Sequence, residues 1–279
     1  MELITDDFDA VIIIGNGFDL NLGLKTSYTD FIKSPEFKTL LDDDNQLAKH
    51  LIGVHTLQNW IDIENELKRF SKGFSSKNQN LFIEFKNLSL ALTNYLENIK
   101  IPNLNENSLA VKLLKSVELL TVLIIDFNYT ATISSISNYL DLDIYNEHSR
   151  IQHIKIHETI KNNDIIFGVE DKSDLLPKHI FLKKSVNDSF KPINFSDTIS
   201  KCTNFIIFGH SLGTTDHMYF EDYFKKSSVI SERNIKQNIV VYHYGEESYY
   251  DIYAQIDKLT SSRITKLKQQ NTIKFIDTK

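Results

Sequence analysis

Hydrophobic positions along the chain fall into two textures. Phe8 to Ile14 is a β-branched apolar run closed by glycine, and apolar residues resume from Phe18 to Leu24, which predicts a strand, a turn and a helix. From about Asp30 to Leu119 the spacing is helical and polar-rich, in Phe37 to Val54, Leu57 to Phe74 and Leu81 to Ile99, with no strand pattern between. Pro102 and the Asn-rich stretch from Asn103 to Asn107 end this block. Strand signals return at Leu120 to Phe127, Ile151 to Ile156, Asp164 to Phe167, Asn204 to Phe208 and Asn238 to Tyr244, with helical stretches at Thr132 to Leu140 and His217 to Lys226. Short apolar runs alternating with helices predict an α/β fold, a mostly parallel Rossmann-like sheet with helices on both faces and a large helical insertion after the first βα unit. The expected organisation is a core of 1–29 and 120–279, with 30–119 inserted as a helical cap. The Lys/Ser-rich stretch Lys172 to Asp197 reads as a surface excursion.

Composition narrows the function classes. With 279 residues, 41% hydrophobic and 24% charged, the chain is long enough and apolar enough for a packed core, so disorder is not the expectation. A single cysteine, Cys202, excludes an internal disulfide and a multi-cysteine zinc site, which fits a reducing cytoplasm and no structural zinc. The first residues carry Glu2, Asp6 and Asp7 without a basic flank, and no apolar run approaches the ~20 residues of a membrane span, so neither secretion nor a membrane anchor is expected. A formal charge of -6 with scattered Lys and Arg gives no general attraction to nucleic acid.

The candidate chemistry sits at the carboxyl ends of the predicted strands, where open parallel sheets bind ligands. In Gly15-Asn16-Gly17-Phe18-Asp19 the glycines permit a sharp turn and a close approach of backbone N–H groups to a phosphate, although an ordinary strand-to-helix turn needs the same glycines. It departs from the dinucleotide fingerprint, because Leu20 stands at the third glycine position. Asn128 follows the run Leu120 to Ile125 and is placed to hold a water or a ribose hydroxyl, or to cap the next helix. His157 closes Ile151 to Ile156 as a candidate general base or a plain polar surface residue. Gly209-His210-Ser211-Leu212-Gly213 follows a strand and ends in Thr214, Thr215 and Asp216, hydroxyls and an acid suited to ribose and phosphate oxygens. The same string has the form of a hydrolase nucleophile elbow, but that enzyme class needs an acid and then a histidine downstream, where only His217 and His243 lie and His217 is too near in sequence. Trp60, Asp62 and Glu64 form a compact group in the helical block, with Trp60 read as core and the two acids left open.

The ordered set Gly15-Asn16-Gly17-Phe18-Asp19 with Gly23-Leu24-Lys25-Thr26-Ser27-Tyr28, Trp60-x-Asp62-x-Glu64, Phe127-Asn128-Tyr129-Thr130, Ile156-His157, Ile166-Phe167-Gly168 and Gly209-His210-Ser211-Leu212-x-x-Thr215-Asp216 resembles the AbiH family of phage abortive-infection proteins. This resemblance implies a bacterial anti-phage role with a phage-derived trigger. A more distant resemblance is to sirtuin-like NAD-binding domains, carried by the step from Gly15 to Gly23, Asn128, His157, Phe167-Gly168-Val169-Glu170 and Gly209 to Leu212. It implies that NAD is the ligand, with Gly15, Asn16, Gly17, Asp19, Gly168, Gly209, Ser211 and Asp216 around it and Asn128 and His157 catalytic. Thr130 stands where sirtuins carry an acid, Glu158 where a glycine follows the histidine, and the zinc cysteines are absent. The implied activity is therefore that of the zinc-free sirtuin-like defence enzymes, which destroy NAD, and the implied assembly is a homo-oligomer. A nuclease or nucleotide hydrolase, and a non-catalytic nucleotide-binding phage sensor, are the alternative expectations.

Overall fold

A computed structural model describes residues 7–57, 63–73, 80–100, 104–142, 144, 149–157, 165–190, 192–229 and 236–279. Its sheet is built from β1 (Ala10–Ile14), β2 (Val122–Asp126), β3 (Ile151–Lys155), β4 (Asn204–Phe208), β5 (Asn238–His243) and β6 (Thr272–Asp277). The order is β3-β2-β1-β4-β5-β6 and every described pairing is parallel, in register from Ala10 against Val122 on one side and against Asn204 on the other. The chain moves outward from β1 to β3 and returns to the far side of β1 at β4. The direction of winding therefore reverses between β1 and β4, the place where such sheets open a crevice at their carboxyl ends.

Continuous apolar strands follow from this topology, because a sheet covered on both faces buries alternate residues in opposite directions. Val11 and Ile13 of β1 enter one core with Phe205, Ile207 and Phe220, while Ala10, Ile12 and Ile14 enter the other with Ile124, Ile133 and Phe208. The fold is α/β and Rossmann-like, as the apolar runs predict.

Helices α1 (Asn16–Asn21), α2 (Tyr28–Ile32), α3 (Pro35–Asp42), α4 (Gln46–Leu57), α5 (Ile63–Gly73), α6 (Leu81–Glu97) and α7 (Leu109–Ser116) separate β1 from β2. Local chemistry marks their starts: the Ser34 hydroxyl accepts from Phe37 N at 3.2 Å with Pro35 following, and the Asn80 side chain accepts from Phe82 N at 3.0 Å. The helix expected over Phe37 to Val54 is divided, since Asp44 takes a left-handed φ of 63° and Asn45 caps α4 by accepting from Ala48 N at 2.9 Å. Helices α2 to α6 build a core of their own around Phe37, Leu51, Leu67 and Leu88. Helix α7 lies instead against the sheet, with Ala110 and Val111 in the core of Ile12 and Ile124. The remaining α-helices among the described residues are α8 (Thr132–Leu140), α9 (Ser196–Lys201), α10 (Glu221–Ser227), α11 (Gly245–Leu259) and α12 (Ile264–Gln270). Among the described residues no helix is long and apolar enough to cross a membrane.

Two expectations are corrected. Ile165 to Phe167 is not a strand; Ile165 and Phe167 pack into the core of the helical block, and Val169 beyond them bridges to Lys183. Residues 172–197 are not a surface excursion, because His179, Leu182, Lys184 and Phe195 are all buried along it. Asp164, Glu158, Trp60 and Asp62 lie outside the described residues.

Candidate functional site

At the switch point the turn after β1 meets the turn after β4, backbone on backbone. Gly15 N donates to Phe208 O at 3.1 Å and Gly17 N donates to Gly209 O at 2.9 Å. A Cβ on Gly17 would stand 2.5 Å from Gly209 Cα, and one on Gly15 would stand 2.8 Å from Gly209 O. The N–H groups of Gly15 and Gly17, assigned by the sequence to a phosphate, are thus spent on holding the two turns together. Asn16 is exposed between them, while Phe18 is fully buried and edge-on to Phe208, with ring centroids 5.4 Å apart. That anchorage turns Asp19 inward.

Asp19 is 1% exposed and both of its oxygens are engaged. Asn128 Nδ2 donates to Oδ1 at 3.2 Å, and the Thr130 hydroxyl donates to Oδ2 at 2.5 Å while accepting from Thr132 at 2.9 Å. Thr130, in the place where an acid was expected, therefore addresses an acid supplied by α1. Burial pushes the Asp19 carboxyl up to about 7 against the opposing hydrogen bond from Thr130. Neighbouring Asp126 has the reverse balance: burial pushes it up, but Lys155 at 3.0 Å and His153 at 3.1 Å outweigh burial and hold it below the usual range. Asp126 also accepts from Asn128 N at 2.8 Å, so two carboxylates fix the backbone and side chain of Asn128.

The raised Asp19 gives a stability prediction with a definite sign. Between the ordinary carboxylate value of 3.8 and about 7 the folded chain holds a proton that the unfolded chain has released, so this group's contribution to stability falls as pH rises through that window. Asp19→Asn, which keeps one acceptor for Asn128 and turns a donor to the Thr130 oxygen without the charge, is expected to gain about 2 kcal/mol on the wild type between pH 5 and pH 7 in urea unfolding. A difference that stays constant with pH would refute the protonated Asp19.

A second cluster converges from β3, β4 and the segment 165–190. His157 is 4% exposed, with Nδ1 at 3.0 Å from Phe127 O. A carbonyl only accepts, so Nδ1 carries the proton and Nε2 of the neutral ring is a lone pair; that atom is buried with no hydrogen-bond partner among the described residues. Burial and then the Lys184 ammonium keep the His157 pKa below its ordinary value. Facing Nε2 at 3.6 Å is Asp216 Oδ1, from the short 3-10 helix Thr214–Tyr219. Burial pushes Asp216 up, but the Lys184 ammonium above all, with His210, outweighs it and holds the carboxyl well below the usual range. His210 turns Nδ1 to the Leu212 N–H at 3.0 Å, which leaves Nε2 as its proton-bearing nitrogen, 3.5 Å from Asp216 Oδ2. Lys184 Nζ lies 3.0 Å from Asp216 and 3.0 Å from Glu64 of α5. Tyr129 stacks on the His157 ring, with centroids 5.6 Å apart.

Asn128, Asp19, His157 and Asp216 are therefore brought to one end of the sheet, the first two joined to the others through Phe127. Ser211 is exposed, and the nearest histidine, His210, spends Nδ1 on Leu212. Gly168 (φ +150°) lies against Leu182, whose carbonyl oxygen would be 2.3 Å from an added Cβ. Lys184 and His210 were not singled out in the sequence. Lys184 sits in a polar run with no periodic mark, whereas His210 stands inside a glycine turn that drew attention only to its hydroxyls. No group of three or more His, Cys, Asp or Glu among the described residues is placed to hold a metal ion.

No curated protein and no solved structure matches this chain. The family model described as bacteriophage abortive infection AbiH matches residues 11–244, a span that contains both glycine turns, Asn128, His157, Lys184 and Asp216. The chain belongs to the AbiH family, and its role is in phage abortive infection.

Proposed function

We propose that this AbiH protein is a cytoplasmic effector that binds NAD and hydrolyses its nicotinamide–ribose bond. The observation that carries the reading is the pair of acceptors facing each other across 3.6 Å, the His157 Nε2 lone pair and the ionised Asp216 carboxylate. Two acceptors that close leave each other unsatisfied, and an O–H donor, a water or a ribose hydroxyl, satisfies both once the side chains part to admit it. In hydrolysis the water oxygen bonds to the ribose carbon and its proton passes to His157 Nε2. The carbon–nitrogen bond breaks with its electron pair going to nicotinamide, which leaves neutral, and His157 later returns the proton to solvent. The charge that develops on the ribosyl carbon is positive, and Asp216 favours it electrostatically. Asn128, fixed by Asp19 and Asp126, orients the water or the ribose.

Purified full-length chain incubated with NAD, with and without phage lysate, is expected to release nicotinamide in at least one arm. Asn128→Ala is expected to lower that rate about 100-fold, as loss of a positioning hydrogen bond in a closed site does. Intact NAD in every tube would overturn the reading, and cleaved RNA or DNA in the same tubes would establish a nuclease instead.

A further inference from the structure

Gly168 and Lys184 have no part in the reaction as written, yet both are held in unusual places. Val169 N donates to Leu182 O at 2.8 Å and Lys184 N donates to Val169 O at 2.9 Å, a two-way backbone bridge on either side of Lys183. The bridge requires the segment 182–184 to pass close over Gly168, where any Cβ would meet the Leu182 carbonyl. Its product is a lysine that is 3% exposed, with its ammonium between a carboxylate of the helical block and a carboxylate of the sheet. A buried ammonium is costly to place and is tolerated only when paired, so the seat has to hold it accurately.

We propose that Lys184 is the positioning residue of the His157–Asp216 pair, its ammonium fixing the Asp216 carboxylate in front of His157 Nε2, and that Gly168 is the backbone seat which puts it there. As a role in the reaction this rests on the function proposed above; as a geometric assignment it does not. Among the described residues three contacts surround the Asp216 carboxylate: Lys184 at 3.0 Å and His157 at 3.6 Å on Oδ1, and His210 at 3.5 Å on Oδ2. Lys184 is the permanent charge among them. It also opposes protonation of His157, second only to burial, while Asp216 favours it. The charged and titratable groups that bear on His157 among the described residues are Asp216, Lys184, His210, the stacked Tyr129 and, through Lys184, Glu64 of α5. Removing the ammonium leaves the pull of Asp216 on His157 opposed only by burial and His210, whereas neutralising Glu64 leaves the ammonium less compensated. The two changes therefore move His157 in opposite directions.

The test is an NMR titration of the His157 ring in the full-length chain, assigned by comparison with His157→Gln and run without nucleotide, so it stands or fails independently of NAD cleavage. Lys184→Met is expected to raise the His157 midpoint by about one pH unit, and Glu64→Gln to lower it by a few tenths. An unmoved His157 midpoint in folded Lys184→Met overturns the assignment. If Lys184→Met does not fold, Glu64→Gln decides alone, and an unchanged or raised midpoint there overturns it. If in solution Lys184 only latched the helical block to the sheet, with Asp216 turned away from His157, its loss would change the melting temperature and leave the His157 midpoint nearly in place.

Discussion

Replacing His157 by Gln is expected to lower the single-turnover rate of nicotinamide release about 1000-fold, the middle of the range for loss of a general base, with NAD affinity within about three-fold of the wild type. The expectation follows from which nitrogen is free. The Phe127 carbonyl fixes the proton on Nδ1, so Nε2 is the lone pair that the ring offers. Phe127 stands edge-on to the ring and Tyr129 stacks on it, at centroid distances of 5.5 and 5.6 Å, so the lone pair cannot swing away from Asp216. A Gln side-chain amide can still donate to the Phe127 carbonyl and fill most of the volume, which separates loss of the base from loss of the fold. The depressed His157 pKa adds a pH signature: the ring is neutral through the neutral range, so the wild-type rate is flat there and its acid limb falls below pH 6.5. A Gln variant that keeps a third or more of the wild-type rate, in the chain that shows NAD cleavage, would remove His157 from the chemistry.

The sequence made most of the sheet legible because its central strands are buried on both faces. β1 and β2 are fully buried along their length, and a strand of that kind has to be a continuous apolar run. β6 escaped for the converse reason: it is an edge strand, half-exposed from Thr272 to Asp277, with Lys274 and Asp277 facing out, and it pairs with β5 alone. The Ile165 to Phe167 run shows the limit of apolarity as a strand signal, since Ile165 and Phe167 are buried against the helical block and the run joins no ladder among the described residues. The site divides in the same way. Asn128, His157 and Asp216 were readable because each follows an apolar strand at its carboxyl end, a local pattern. Lys184 was not, because its burial depends on Glu64 and Asp216, both distant in the chain, and nothing in the neighbouring lysines and serines records that meeting. Asp19 was visible as an acid beside a glycine turn, but only the fold shows that Asn128 and Thr130 take both of its oxygens.

The glycines of the two turns admit a decisive stability test. Gly209→Ala is expected to destabilise the chain by about 4 kcal/mol or more, combining a left-handed backbone for a residue with a Cβ and an overlap that only backbone movement can relieve. Gly209 has φ +64°, and its added Cβ would stand 2.4 Å from Gly17 Cα, Gly17 C and Phe18 N. Every one of those atoms is main chain, so no rotamer change makes room. Separating the turns breaks the Gly17 N to Gly209 O bond, lifts Phe18 from Phe208 and draws Asp19 away from Asn128. Gly17→Ala meets the same contact from the other side at 2.5 Å, so in urea unfolding the double variant is expected to lose clearly less than the sum of the two single losses. Gly53→Ala, in α4 with nothing within 4 Å of the new methyl, serves as the control and is expected to gain about 0.5 to 1 kcal/mol from helix propensity. Gly209→Ala within about 1 kcal/mol of the wild type would mean that the turns separate at little cost. The paired glycines would then be required by what enters between β1 and β4, and not by the scaffold that closes it.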